Sequence, residues 1–360
     1  MATGTVSATT LNFRSSPNGE VKKELLKGAT VEILEDRGEW LKINSDGEEG
    51  FVSARFIQRA GDTSVPQASG RGDFRFEGTT AVAPDGTRFA KKFKLGVFDY
   101  GTTSIGQFVA ANSARFAAVS PSRLRVMQAV SENEGKLEAI NTWDNSFVTF
   151  GIFQWTVGAE GAGELSPLID RLKQTSPSVF ESFFGQHGLD AVVTNSQPGT
   201  RPVGFFQLNG VTLKTAAQKE QLRTLEWAYR FWVAGHDDTV RQTQIDHAIG
   251  RADIFYRDGK NKIGDRFIGD YVTSEFGVAL LLDQHVNRPG HVPTTIAKAV
   301  AQMAGGDPAG WSDGQEKQLL DIYLTLRAQT SMTDSNKRAD TIRKAVTAGL
   351  ASNKRGSYQP

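Results

Sequence analysis

The chain has 360 residues, enough for two ordinary domains or for one large domain with an appendage. Its 41 Lys and Arg against 40 Asp and Glu leave a net charge of +1, with 8 basic and 9 acidic residues in positions 1–60 and 33 and 31 beyond, so neither part is a polycation and the balance argues against a nucleic-acid partner held by counterion release. Zero cysteines exclude disulfides, thiolate catalysis and Cys-ligated zinc, while 39% hydrophobic residues suffice for real cores.

Such a chain can fold in a reducing cytosol and still work in an oxidising compartment. No apolar run approaches the roughly 18 residues that cross a bilayer, so no membrane span is expected. The start, MATGTVSATT, has neither the basic segment nor the apolar core of a secretory signal. Synthesis in the cytoplasm without such a signal is therefore expected, with export by another route if the protein acts outside the cell.

Residues 1–60 read as about five short strands, with β-rich or alternating stretches at 11–14, 29–36, 39–44 and 50–57. Pro17-Asn18-Gly19, Gly28, Arg37-Gly38 and Ser45-Asp46-Gly47 punctuate them as turns, and a small all-β barrel is expected. The set Leu11-Asn12-Phe13-Arg14-Ser15-Ser16-Pro17, Leu26-Lys27-Gly28, Gly38-Glu39-Trp40-Leu41-Lys42-Ile43 and Gly50-Phe51-Val52 resembles the bacterial SH3 domain. The resemblance implies a module that tethers a hydrolase to cell-wall peptides. Trp40 and Phe51 suit the small core as well as they suit a ligand, so no binding residue is named.

Residues 61–87 are small and polar, and a linker is expected there. Arg71-Gly72-Asp73 is read as a solvated linker triplet rather than an adhesion motif. From residue 88 to 360 the pattern predicts a mainly helical domain with one small β excursion between 137 and 157. Ser120-Pro121 opens the helix SRLRVMQAVSENE. Further helices are expected in LSPLIDRLKQ, LKTAAQKEQLRTLEWAYRFWVAG, 239–256, VTSEFGVALLLDQHV, TTIAKAVAQMA, GQEKQLLDIYLTLRAQ and NKRADTIRKAVTAGLA.

On the helix opened by Ser120, Leu124, Met127 and Val130 form an apolar stripe. Glu134 lies about 20° from its centre, whereas Glu132 lies about 140° away and points to solvent. A carboxylate is thus placed on the face meant for burial, at the negative end of the helix dipole. Both effects disfavour its charge and predict a pKa raised by about two units, roughly 2.7 kcal/mol, as a general acid near neutral pH requires. Asp144 follows by ten positions and Thr149 by fifteen, and Phe147–Trp155 suits a hairpin arm. Helix, carboxylate, hairpin carboxylate and hydroxyl can together make one wall of a glycosidase cleft.

At these residues the chain resembles the lysozyme superfamily. Glu134-Gly135, Asp144 and Thr149-Phe150-Gly151-Ile152 are similar to the phage-type lysozyme signature, with the Glu-to-Asp spacing longer by one residue. Gly151-Ile152-Phe153-Gln154 is similar to the Gly-Leu-Met-Gln element of goose-type lysozymes and lytic transglycosylases, which rely chiefly on one glutamate. The resemblance spans residues 121–157. It implies Glu134 as general acid, Asp144 as the group that orients water or balances positive charge, and Thr149 as the holder of that water.

Gln154 and Trp155 are candidate sugar contacts, and Trp143 is read as structural. The stretch 281–291 ends an apolar helix, where Asn287 and Arg288 could bind sugar or a peptide carboxylate on an opposite wall, or form a solvated turn. Neither metal nor cofactor is called for: no HExxH occurs, His285 and His291 do not share a helix face, 258–270 is a poor calcium loop, and there is no Walker, dinucleotide or Gly-x-Ser-x-Gly motif.

The expectation is a two-domain chain, a small barrel and then a lysozyme-like α+β domain, acting as a muramidase on peptidoglycan strands. A lytic transglycosylase and an inactive wall-binding protein are the alternatives. Action on the wall in the periplasm of a target or host bacterium fits either a phage endolysin or an injected antibacterial effector, and the effector implies a cognate immunity protein or a secretion-spike partner.

Overall fold

The structure is a computed structural model that describes every residue except 1, 7–9, 18, 27, 38–39, 55–56, 60–72 and 196–199. Three antiparallel sheets and a set of helices make up the described chain.

The N-terminal region is all β. Its strands pair in the spatial order Val21–Leu26, Thr10–Arg14, Glu48–Ser53, Trp40–Ser45, Thr30–Asp36, Ala2–Val6, Ile57–Arg59, with every pair antiparallel. The alternation of Trp40–Ser45 sends Leu41 and Ile43 inward, where they meet Phe13, Leu25, Val31 and Val52. Burying each such side chain contributes about 1.5–3 kcal/mol, which is how so short a segment holds a core. Gly50 lets this core close, because a Cβ there would lie 2.6 Å from the Phe13 ring. Two strands, Ala2–Val6 and Val21–Leu26, extend the sequence expectation, and the predicted 50–57 strand is two strands, Glu48–Ser53 and Ile57–Arg59.

The expected linker does not run to residue 87. Residues 61–72, with Arg71 and Gly72, lie outside the described part, while Arg75–Glu77 and Thr80–Val82 are strands of a second sheet. That sheet is an antiparallel meander in chain order: Arg75–Glu77, Thr80–Val82, Arg88–Phe93, Gly96–Asp99, Ile140–Asn141, Thr149–Phe150, Trp155–Thr156. The helices Ile105–Ala111 and Pro121–Ser131 are inserted between its fourth and fifth strands. A third, three-stranded sheet (Leu189–Asn195, Val203–Leu208, Val211–Thr212) packs on the helix Leu165–Thr175. The region after the barrel is therefore a mixed helix-and-sheet region rather than a mainly helical one.

The predicted helices otherwise form, as Asp238–Tyr256, Glu275–Asn287, Val292–Val300, Asp313–Ala328 and Ser335–Thr347. The long 213–235 stretch breaks instead at Thr224, whose hydroxyl caps Leu225–Ala234 by accepting from the Trp227 amide at 3.1 Å. Glu275–Asn287 is the central helix. Its residues from Gly277 to His285 are buried on all sides, as an apolar helix inside a core must be. Against it pack Pro121–Ser131 and Ser335–Thr347, the two helices that bring the site together.

Candidate active site

The Pro121–Ser131 helix ends one turn earlier than its apolar stripe predicts. The chain then continues in a turn: the amides of Glu134 and Gly135 donate to the Ser131 carbonyl at 3.0 and 3.1 Å. Glu132 is exposed and pairs with Lys136 at 2.8 Å, as its angular position predicts. Glu134 points the other way, and its side chain is 12% exposed. Gly135 has a steric reason, since a Cβ there would meet Ala139 at 2.8 Å and the Gln154 amide at 3.0 Å.

Glu134 sits on a charged network built from three distant helices. Arg338, on Ser335–Thr347, contacts the Glu134 carboxylate and lies 2.6 Å from Asp283 of the central helix. Asp283 is fully buried and also meets Arg327 at 3.1 Å. Asn133 closes the arrangement by donating to Asp283 Oδ1 at 3.1 Å and to the Arg338 carbonyl at 3.0 Å. Burial pushes the Glu134 pKa up from 4.5 to about 7, against the pull of Arg338 and the weaker pull of Arg251. The nearby Asp283 carboxylate adds to the rise.

Glu134 lines a groove of about 370 Å³ with Phe93, Phe98, Asp99, Tyr100, Ala139, Ile140, Asn141, Trp143 and Gln154. Its volume is at the lower end of small-molecule sites, room for a short stretch of an extended ligand. Four aromatic residues line the same groove as the Glu134 carboxyl group, whose pKa burial raises to about 7.

Of the candidates named from sequence, Gln154 lines the groove, its backbone at φ +49° and its amide donating to the Gly151 carbonyl at 2.9 Å. Thr149 stands one strand away, paired with Asn141, and is 4% exposed. Its hydroxyl has no hydrogen-bond partner among the described residues. Asp144 is outside the lining. Its oxygens are engaged in a local turn, accepting from the Ser146 amide at 2.8 Å and the Asn141 side chain at 3.1 Å.

Trp155 is not a groove residue. At 3% exposure it packs between Phe153 and His247, leaving no free ring face for a sugar. Trp143, read as structural, is the indole that reaches the groove. Asn287 and Arg288 form no opposite wall: Arg288 donates to the Ser331 carbonyl at 3.3 Å at the end of the central helix. In that polar run the inward-facing Asp283 is what reaches the site.

Sequence reasoning missed Arg338 and the hairpin that carries Phe93, Phe98, Asp99 and Tyr100. The hairpin had a signal in RFAKKFKLGVFDY, apolar and charged residues around a Leu-Gly pair. Gly96 allows it to dock, because a Cβ there would lie 2.4 Å from the Thr142 carbonyl oxygen. Val97 and Thr142 lock the contact by reciprocal bonds, amide to hydroxyl at 3.0 Å and amide to carbonyl at 2.8 Å.

A second buried cluster lies behind the site. Burial opposes the charge of Glu164, yet Arg251 and His247 hold its pKa down at about 2. Burial and the neighbouring Arg251 keep His285 neutral, and its Nδ1 accepts from Arg251 Nε at 2.9 Å. This cluster ties the Leu165–Thr175, Asp238–Tyr256 and central helices together.

In the N-terminal all-β region, residues 9–58 match the bacterial SH3 domain family. That segment is a bacterial SH3 domain. Within it Phe51 is buried beneath Arg37, whose guanidinium lies 5.1 Å from the ring centroid, and Trp40 is half-buried at the start of its strand. Neither a curated protein nor a solved structure matches the chain. No helix among the described residues is long and apolar enough to cross a membrane.

Proposed function

We propose that the region following the SH3 domain is a peptidoglycan hydrolase with a lysozyme-like fold, cleaving the β-1,4 bond between N-acetylmuramic acid and N-acetylglucosamine with Glu134 as general acid. The observation that carries the proposal is a mostly buried carboxyl group, protonated up to about pH 7, on the wall of an aromatic groove. The helix Pro121–Ser131, followed one turn later by Glu134-Gly135 and then by short antiparallel strands, supports the lysozyme-like reading. The SH3 domain would hold the enzyme on wall peptides, whether the setting is an endolysin or an injected effector with its immunity protein.

The proton from Glu134 goes to the glycosidic oxygen as the bond to the anomeric carbon breaks, leaving an oxocarbenium-like sugar. Attack by water gives a reducing end. Attack by the sugar's own 6-hydroxyl gives a 1,6-anhydro end, the transglycosylase outcome, and the engagement of Asp144 in its turn favours keeping this second reading. In the hydrolytic route Asp99 is the other carboxylate on the groove wall and Thr149 the free hydroxyl behind it.

Digestion of purified sacculi followed by mass spectrometry tests the assignment. Wild-type protein should release muropeptides and Glu134→Gln should release none while remaining folded. Anhydro products are lighter by one water. Binding to sacculi without release by the wild type would leave a wall-binding protein and remove the enzyme.

The two aspartates make a separate prediction. Asp144→Asn keeps the turn and should retain most of the lytic rate, whereas Asp99→Asn should lower it at least ten-fold in a two-carboxylate hydrolase. Equal, small effects from both variants would favour the one-glutamate transglycosylase.

A further inference from the structure

The hairpin Arg88–Phe93 and Gly96–Asp99 presents an exposed aromatic surface, with Phe93 41%, Phe98 38% and Tyr100 55% exposed. These rings do not stand singly. Phe93 meets Phe98 edge-on at 5.8 Å and Trp143 edge-on at 5.0 Å, so three rings form one connected wall that runs into the groove beside Glu134. A surface of this kind costs solubility unless something covers it.

Lys94 occupies the two-residue loop of the hairpin, at φ +45°, a conformation that a lysine adopts only at some cost. Its ammonium lies 4.3 Å from the Trp143 ring centroid and 5.3 Å from that of Phe93. Among the described residues no carboxylate lies within ion-pair distance of it. The exposed cation therefore rests on the aromatic faces of two residues that line the groove, Phe93 and Trp143.

Resting on the proposed glycan-cleaving site, we infer that Phe93, Phe98 and Trp143 form the sugar platform and that Lys94 selects an anionic glycan. The occupant is a strand whose sugars bear carboxylates, as lactyl-substituted and peptide-substituted muramic acid do, in preference to a neutral polymer of N-acetylglucosamine. Apolar ring faces of pyranoses cover the aromatic wall, and a carboxylate reaches the Lys94 ammonium. A neutral glycan makes the first contact and leaves the second unmade.

Binding in the full-length Glu134→Gln background tests this without relying on turnover. The probes are soluble uncrosslinked peptidoglycan strands and chitohexaose, followed by intrinsic tryptophan fluorescence and calorimetry. Wall strands should bind at least ten-fold more tightly than chitohexaose at low salt. Adding Lys94→Gln should reduce that ratio about ten-fold, Lys94→Arg should restore it, and Phe93→Ala with Phe98→Ala should weaken both probes. Equal affinities for the two probes, or a ratio that Lys94→Gln leaves unchanged, would overturn the inference. If the ratio behaves as expected but wild-type protein releases no muropeptides, the platform stands and the hydrolase reading falls.

Discussion

The Glu134→Gln protein should be more stable than the wild type above pH 7 and no more stable at pH 4. In the unfolded chain Glu134 loses its proton near the ordinary 4.5, and in the folded chain near 7. Below 4.5 both states are protonated, and no difference arises. Between 4.5 and 7 the unfolded state gains by ionising while the folded state holds its proton, so folding weakens as pH rises, and the effect levels off above 7. The displacement corresponds to about 3 kcal/mol. Gln mimics the neutral acid, so the difference between the two proteins in urea unfolding should grow from near zero at pH 4 to about 3 kcal/mol at pH 8. A flat difference across that range would mean that Glu134 titrates as an ordinary surface carboxylate. The same displacement sets the rate profile: kcat/KM of the wild type should fall through an apparent pKa of about 7, leaving roughly a tenth of its maximum at pH 8.

The parts of this arrangement legible in the sequence are those encoded locally. The alternation in Trp40–Ser45 and its flanking turns specify a strand without reference to the rest of the chain, and that strand forms. Glu134 is legible because a helical stripe points at it, even though the helix itself stops at Ser131. Strands of two or three residues, such as Thr149–Phe150 and Arg75–Glu77, carry too little alternation to be read. Their pairing is set by the neighbours that the fold supplies. Trp143 and Trp155 are close in sequence and both fit sugar stacking, yet one lines the groove and the other fills the core. Arg338 was illegible for a different reason. It is one of several basic residues on an amphipathic helix 204 residues from Glu134, and only the packing of that helix on the central one makes it a partner.

Arg338→Met should produce two effects of different kind. Arg338 donates to Asp283 at 2.6 and 3.1 Å, to the Asn133 carbonyl at 3.3 Å and to Glu134. Removing one partner of a buried ion pair typically costs 3–5 kcal/mol because the other charge is left in a poor solvent. Here Asp283 keeps Arg327 at 3.1 Å and the Asn133 amide, so the loss should fall at the low end, about 3 kcal/mol in urea unfolding. The second effect concerns the acid. Arg338 is the nearest cation to Glu134 and lowers its pKa, so its removal raises that pKa further above 7 and moves the alkaline limb of kcat/KM to higher pH. The maximal rate should fall meanwhile, because the carboxyl group loses the contact that orients it. Arg338→Lys retains the charge without the forked geometry and should keep the limb near its wild-type position while losing part of the stability. A limb that moves to lower pH in the Met variant would show that Arg338 does not control the proton on Glu134. A limb that moves upward, on a protein that still folds, would separate the electrostatic role of the arginine from its structural one, since lost packing alone does not change where the acid titrates.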